Sequence, residues 1–187
     1  MKKKITYGLL TLIIVSLGVY IALTYSGGET GGEIQKVQKN KKSDYVVSSE
    51  ELSRAAKSIG EIKDEQTLNH KMMEMSFQKI TFDGDNFKVP NVHNPGRVQV
   101  TKENIQYLKN NLNVVNDEER IEYESILNEW YNGNFKSVVE DFKELRYLLW
   151  EDKSVLTPVK KTNSDEREYI LHFFGQDGLD IHNKEWK

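Results

Sequence analysis

The sequence predicts a mostly α-helical protein built from an N-terminal transmembrane helix, a flexible linker and a compact domain of about five or six helices. Three observations predict it. Residues 5–25 contain no charged side chain and directly follow Lys2, Lys3 and Lys4. Beyond them, apolar residues recur at helical spacing in segments bounded by capping residues and glycines. Proline is scarce, three in 187 residues, while Glu, Lys, Asn and Leu are abundant, which suits helices better than a sandwich.

The first stretch, ITYGLLTLIIVSLGVYIALTY, is 21 residues long. At about 1.5 Å per residue it covers roughly 31 Å, close to the hydrocarbon thickness of a bilayer. Tyr7, Tyr20 and Tyr25 lie towards its ends, where amphipathic rings sit at headgroup level. The leading lysines favour a cytoplasmic N-terminus and an extracytoplasmic remainder, although Lys36, Lys39, Lys41 and Lys42 oppose that orientation. A signal anchor over 1–25 is preferred to a cleaved signal peptide, because Ala22-Leu23-Thr24 and Thr24-Tyr25-Ser26 match a cleavage site poorly. The alternative is secretion after cleavage near Tyr25. The chain has no cysteine, which excludes a lipoprotein anchor.

Residues 26–46 read as a linker. SGGETGG places four glycines in seven residues, a poor helix former. The polar, basic QKVQKNKKSD suits either adhesion to anionic headgroups or wall polymers, or a solvated spacer, and the spacer is the better reading. Beyond Tyr25 the chain carries 23 basic and 29 acidic residues with no segregated basic face, so nucleic acid is not an expected partner. The lack of cysteine also removes disulfides, cysteine nucleophiles, zinc–thiolate sites and iron–sulfur clusters.

The helical domain is expected over 47–175. Ser48 with Glu51 forms a capping box for a first helix that ends near Gly60. Asp64 opens a second, running to Ile80, with Leu68, Met72 and Met75 on one row and Met73, Phe77 and Ile80 on the next. The methionines suit core packing better than an adaptable groove. Gly84, Pro90, Pro95 and Gly96 break the chain over 81–100, where FKV and VQV are the candidate strands. Asp83 and Asp85 lack calcium-loop spacing. Thr101 caps a third helix carrying Ile105, Leu108 and Leu112. A fourth, over about 117–132, carries Tyr123, Ile126, Leu127 and Trp130 on one face and has Gly133 as its C-terminal stop. A fifth follows with Phe135, Val138, Phe142, Leu145 and Leu149, a Ser137–Glu140 capping box, and hairpin packing against the fourth. After a break containing Pro158, Ser164 starts a last helix ending at Gly175, with Tyr169, Ile170 and Phe173 inward. Residues 176–187 read as a polar, frayed tail, although Leu179, Ile181 and Trp186 can tuck back.

No nucleophile elbow, metalloprotease helix or phosphate-binding loop occurs. His70, His93, His172 and His182 have no metal-ligand spacing. Glu124 and Glu129 beside the Trp130 helix read as solvated surface. No catalytic, metal or cofactor site is assigned, and no cofactor is expected.

Four stretches carry a family resemblance: HKMMEMSFQKI at 70–80, VTKENIQYL at 100–108, YESILNEWYNGNFKSVVEDF at 123–142 and DEREYILHFF at 165–174. Their order resembles a family of small Gram-positive proteins with a domain of unknown function, over about 64–174. The family-like motif residues of unknown role are Gln78, Lys79, Trp130, Gly133, Phe135 and Asp141. Lys79 suits the dipole at a helix C-terminus, Trp130 falls on a packing face, and Tyr131 is the exposed aromatic. The sequence departs from the pattern at Phe77, where a histidine is usual. KVPNVHNPG replaces a Trp-Gly pair, and LWEDKSVLTPVKK replaces a glycine-rich turn. The resemblance implies a membrane-tethered or secreted protein and supplies no activity. The expected role is a cell-membrane protein, attached through residues 5–25, that presents an extracytoplasmic binding or interaction domain to an envelope protein or polymer. The alternatives are an envelope enzyme acting on wall or lipid polymers and a passive envelope or stress-related structural protein.

Overall fold

The computed structural model describes residues 45–90, 92–151 and 156–186. The expected transmembrane helix and the linker up to Asp44 lie outside the described residues. Among the described residues no helix is long and apolar enough to cross a membrane. Tyr45, assigned above to the linker, joins the folded unit. Its hydroxyl donates to Glu51, its carbonyl accepts from Tyr131 Oη at 2.9 Å, and its ring lies 5.1 Å from the Lys102 amine.

Helix α1, Ser49–Ile59, starts on the expected capping box, with Glu51 N donating to Ser48 Oγ and Ser48 N donating to Glu51 Oε2. It ends at Gly60. Its buried face, Ala55 and Ile59, packs on α3, Lys102–Asn110, which Thr101 caps. Tyr107 Oη donates to Gly60 O at 3.0 Å across this contact.

Helix α2, Glu65–Ser76, is capped by Asp64 and buries Leu68, Met72 and Met75 completely. The methionines are core, as their spacing implies. The helix stops at Ser76 rather than Ile80. Ile80–Thr81 (β1) instead pairs antiparallel with Val159–Lys160 (β2), Ile80 opposite Lys160 and Thr81 opposite Val159. Past Ser76 the backbone tightens to i→i−3 bonds, Gln78 N to Met75 O at 3.2 Å and Lys79 N to Ser76 O at 2.8 Å. Lys161 braces the turn that follows, its amine taking the Phe77 and Ile80 carbonyls while its amide donates to Lys79 O. The candidate strands FKV and VQV form no ladder.

A 3₁₀ turn, Leu112–Val114, leads to α4, Asp117–Tyr131, capped by Asn116. Its buried face is Tyr123, Ile126, Leu127 and Trp130, as expected. Helix α5, Val138–Trp150, lies mainly on α2 and also touches α4, where Trp130 Nε1 donates to Asp141 Oδ2. Ser137 makes no side-chain cap, because its ψ of 9° is not the extended backbone that turns an N-cap oxygen onto the first turn.

Helix α6, Asn163–Trp186, is the main departure from expectation. Thr162 and Asp165 cap its start reciprocally. Gly175, at φ 67° and ψ −164°, interrupts it, a conformation that essentially only glycine adopts. The helix then resumes to Trp186, so 176–186 is no frayed tail. Leu179 is 1% exposed, and Trp186 Nε1 donates to Val100 O at 3.1 Å. Gln99 Nε2 donates to Gly178 O at 2.6 Å and Lys102 N to Glu185 Oε2 at 2.8 Å, so hydrogen bonds as well as apolar contacts anchor a segment whose composition reads as polar.

Leu179→Ala is expected to lower unfolding free energy by about 2–5 kcal/mol, and Gly175→Ala by about 1–3 kcal/mol. Urea denaturation of each variant checks this; an unchanged midpoint for Leu179→Ala would mean the last segment is not packed.

Candidate functional site

The six motif residues lie along one connected set of contacts, with Gln78, Lys79, Trp130 and Phe135 buried, Asp141 partly buried and Gly133 exposed. Gln78 and Lys79 follow α2 directly and are buried. Gln78 Oε1 accepts from Val100 N at 2.9 Å, and its Nε2 donates to Glu166 Oε1 at 2.9 Å. The Lys79 amine pairs with the same carboxylate oxygen at 2.5 Å and stands 4.2 Å from the centre of the Phe135 ring. Burial pushes the Lys79 pKa down, against the pull of Glu166. Lys79, just past the C-terminus of α2, is thus held by a buried ion pair.

Phe135 carries the cluster onward, tilted on Trp130 at 6.3 Å and edge-on to Trp186 at 5.7 Å. Trp130 Nε1 donates to Asp141 Oδ2 at 2.8 Å. Burial raises the Asp141 pKa, opposed by that hydrogen bond. Gly133 turns the chain at φ 74°, with the Trp186 ring 3.4 Å from where a Cβ would stand. Trp130 is core, as its face implies. Tyr131 is half-buried, since its hydroxyl reaches Tyr45. Glu124 and Glu129 are exposed, as read from the sequence.

Sequence reasoning missed Lys161, an unremarkable lysine in a broken segment. Its amine donates to Phe77 O at 2.7 Å and to Ile80 O, with the Tyr169 ring centre 4.5 Å away. Burial, then Arg97, lowers its pKa to about 8, against Glu166, Asp165 and Asp85. His172 lies against the Phe87 ring, and His182 Nδ1 is 3.7 Å from Glu166. No group of three metal-ligating side chains occurs among the described residues.

A cleft of about 560 Å³ opens elsewhere, and none of the six motif residues lines it. One wall is α2, through His70, Met73, Glu74 and Phe77, the facing positions of three successive turns. The second is α5, through Phe142, Arg146 and Trp150 at intervals of four. The third is the loop holding Val89, Pro90, Val92, Asn94, Pro95 and Gly96. Its described residues form no helix or strand, and Arg97 braces them. The guanidinium donates to the carbonyls of Pro95 and Gly96 at 3.0 Å each and of Phe87 at 2.8 Å. It also sits 4.7 Å from the Phe173 ring centre. At Gly96 the backbone comes close to the Glu74 carboxylate: a Cβ there would stand 2.1 Å from Glu74 Oε1 and would make that side chain move. Glu74 is itself held by Lys71 at 2.8 Å.

Trp150 and Val92 are 48% and 49% exposed while lining the cleft, which places them at its mouth. Arg146 lies 5.9 Å from the Phe142 ring centre and 6.0 Å from that of Trp150, and burial lowers its pKa. The walls are therefore mainly apolar and aromatic, with a few polar side chains, as in small-ligand sites. Three departures from the resembled pattern meet here, contributing Phe77, the 89–96 loop and Trp150. The spacing 70, 73, 74, 77 was readable as a helix face, but its pairing with 142, 146 and 150 was not.

A family model described as "Family of unknown function (DUF6241)" matches residues 72–170. No curated protein and no solved structure matches the chain.

Lys79→Met is expected to cost about 3–5 kcal/mol, because it leaves the Glu166 carboxylate in the interior without its cation. Adding Glu166→Leu should cost less than the two single changes summed, which a double-mutant cycle in urea reads directly. Lys161 supplies a pH test. Its folded pKa of about 8 lies below the ordinary lysine value of 10.5, so between these pH values the unfolded chain binds more protons and stability rises with pH. Urea midpoints at pH 7.5 and 9.5 should therefore rise more in the wild type than in Lys161→Met.

Proposed function

The chain belongs to DUF6241, a family of unknown function, and we propose that it is a single-pass membrane protein presenting an extracytoplasmic binding module whose ligand site is the cleft between α2, α5 and the 89–96 loop. The observation that carries this reading is the cleft itself: concave, about 560 Å³, apolar-walled, with a half-exposed tryptophan at its mouth. Its volume falls within the roughly 300–1,000 Å³ typical of ligand sites. A passive structural protein has no need of such an opening.

The cleft favours binding over chemistry. Lys79, Lys161 and Asp141, whose pKa values burial displaces, are engaged in interior contacts rather than on the cleft walls. Arg146, the cleft residue whose pKa burial lowers, has two aromatic rings as neighbours. A nucleophile aligned with a base is the arrangement an envelope enzyme would require. Attachment through residues 5–25, with the lysines at 2–4 inside, accounts for the outward placement of the domain.

Two measurements test the proposal. A C-terminal reporter active only in the cytoplasm would reverse the topology. A photoreactive amino acid at position 92 should capture an envelope component in intact cells, whereas one at position 124, on the exposed surface of α4, should not. Equal capture at both positions would remove the cleft as the site.

A further inference from the structure

We infer that the cleft takes a neutral saccharide, with its hydroxyls on the polar side chains of the walls and one sugar-ring face against Trp150. The inference rests on the binding reading above and names the ligand class of the same site. Four of the lining side chains are polar: His70 and Glu74 on α2, Asn94 in the loop and Arg146 on α5. Their capacities differ. A carboxylate only accepts, a guanidinium only donates, and an amide and an imidazole do both. Lys71 takes Glu74 Oε2 at 2.8 Å, and among the described residues no hydrogen bond holds Oε1, the His70 ring or the Asn94 side chain. The Arg146 guanidinium carries five N–H groups, more than one partner takes up.

This mixture argues against other ligand classes. A purely apolar ligand would desolvate all four groups and give them no partner. A ligand of single charge meets a wall residue of its own sign, Glu74 or Arg146. A peptide needs a partner for each backbone N–H and C=O. The loop wall supplies few, since Pro90 and Pro95 have no N–H and the carbonyls of Pro95 and Gly96 already accept from Arg97. A hydroxyl both donates and accepts, so neighbouring hydroxyls on one ring suit all four side chains. The aromatic wall suits the other side of such a ring. Sugar C–H groups carry partial positive charge and pack on the negative face of an aromatic ring. Trp150 is 48% exposed at the mouth. The His70 ring braces it, centres 5.5 Å apart and planes tilted by 43°, and so does the Arg146 guanidinium at 6.0 Å. A large ring that is held by two neighbours and still half open is a stacking platform, and hydrogen-bonding groups stand beside it.

The test uses the full chain in a detergent without a sugar headgroup. It reads saturation-transfer NMR to three neutral probes: maltotriose, cellotriose and the trimer of N-acetylglucosamine. Transfer to the ring C–H groups of at least one probe is expected. Trp150→Ala should raise the dissociation constant of that probe about tenfold or more, as for the loss of an aromatic anchor. Should that variant not fold, Glu74→Gln, which keeps the size and removes the charge, should raise it about fivefold or more. Competition by a soluble polymer of the bound sugar would identify an internal run of chain as the ligand, and lack of competition a free or terminal sugar; either supports the inference. No transfer to any probe at millimolar concentration overturns it, as does binding unchanged in the variant. If position 92 captures a protein in cells while no probe binds, the saccharide inference falls and the binding reading stands. If no probe binds and positions 92 and 124 capture equally, both fall.

Discussion

The Glu166 carboxylate is the constraint on which the rest of the fold depends. One of its oxygens takes both the Lys79 amine and the Gln78 amide. An amine and a carboxylate this deep in a protein are costly unless they meet with good geometry. The turn after α2 and the first turns of α6 are thereby held at one separation. Gln78 adds a third element, because its oxygen holds the Val100 amide on the strand-like approach to α3. A shift of any of these three would leave a buried charge or amide without its partner. Lys161 reinforces the same junction by occupying the carbonyls of Phe77 and Ile80.

That junction also shapes the cleft, although its own residues do not line it. Phe77 is both the last residue to close α2 and part of the cleft wall. Arg97 lies 5.4 Å from the Phe77 ring centre and gathers the loop carbonyls on its other side. The cleft thus has two walls of regular helix and one of loop, and the loop wall is braced by the Arg97 guanidinium. Five donors in a rigid fork suit this task better than a lysine amine.

The aromatic residues show how far local pattern carries. Trp130 and Tyr123 fall on one helical face, and both are fully buried, as their spacing implies. Phe135 and Gly133 stand next to each other in the motif, and the chain turns there as expected. What gives them their setting is Trp186, 51 residues beyond Phe135, whose ring covers both. The segment carrying it alternates polar and apolar residues too sparsely to announce a packed helix. Its burial rests on Leu179 and on hydrogen bonds from Gln99 to Gly178, from Lys102 to Glu185 and from the indole to Val100.

The sequence by itself determined the helical class, the caps at Ser48, Asp64 and Thr101, the inward faces of α2, α3 and α4, and the stop signals at Gly60 and Gly133. Each depends on residues within a few positions of one another, where sterics and backbone hydrogen bonding decide the outcome. Only the tertiary structure decided that α2 ends four residues early, that β1 pairs with β2, that α6 continues past Gly175, and that α2 and α5 flank a cleft. Each of those is held by partners tens of residues apart, such as Lys161 with Phe77 or Glu166 with Lys79. Short-range periodicity carries no record of which distant side chain will arrive to satisfy a buried carbonyl or charge.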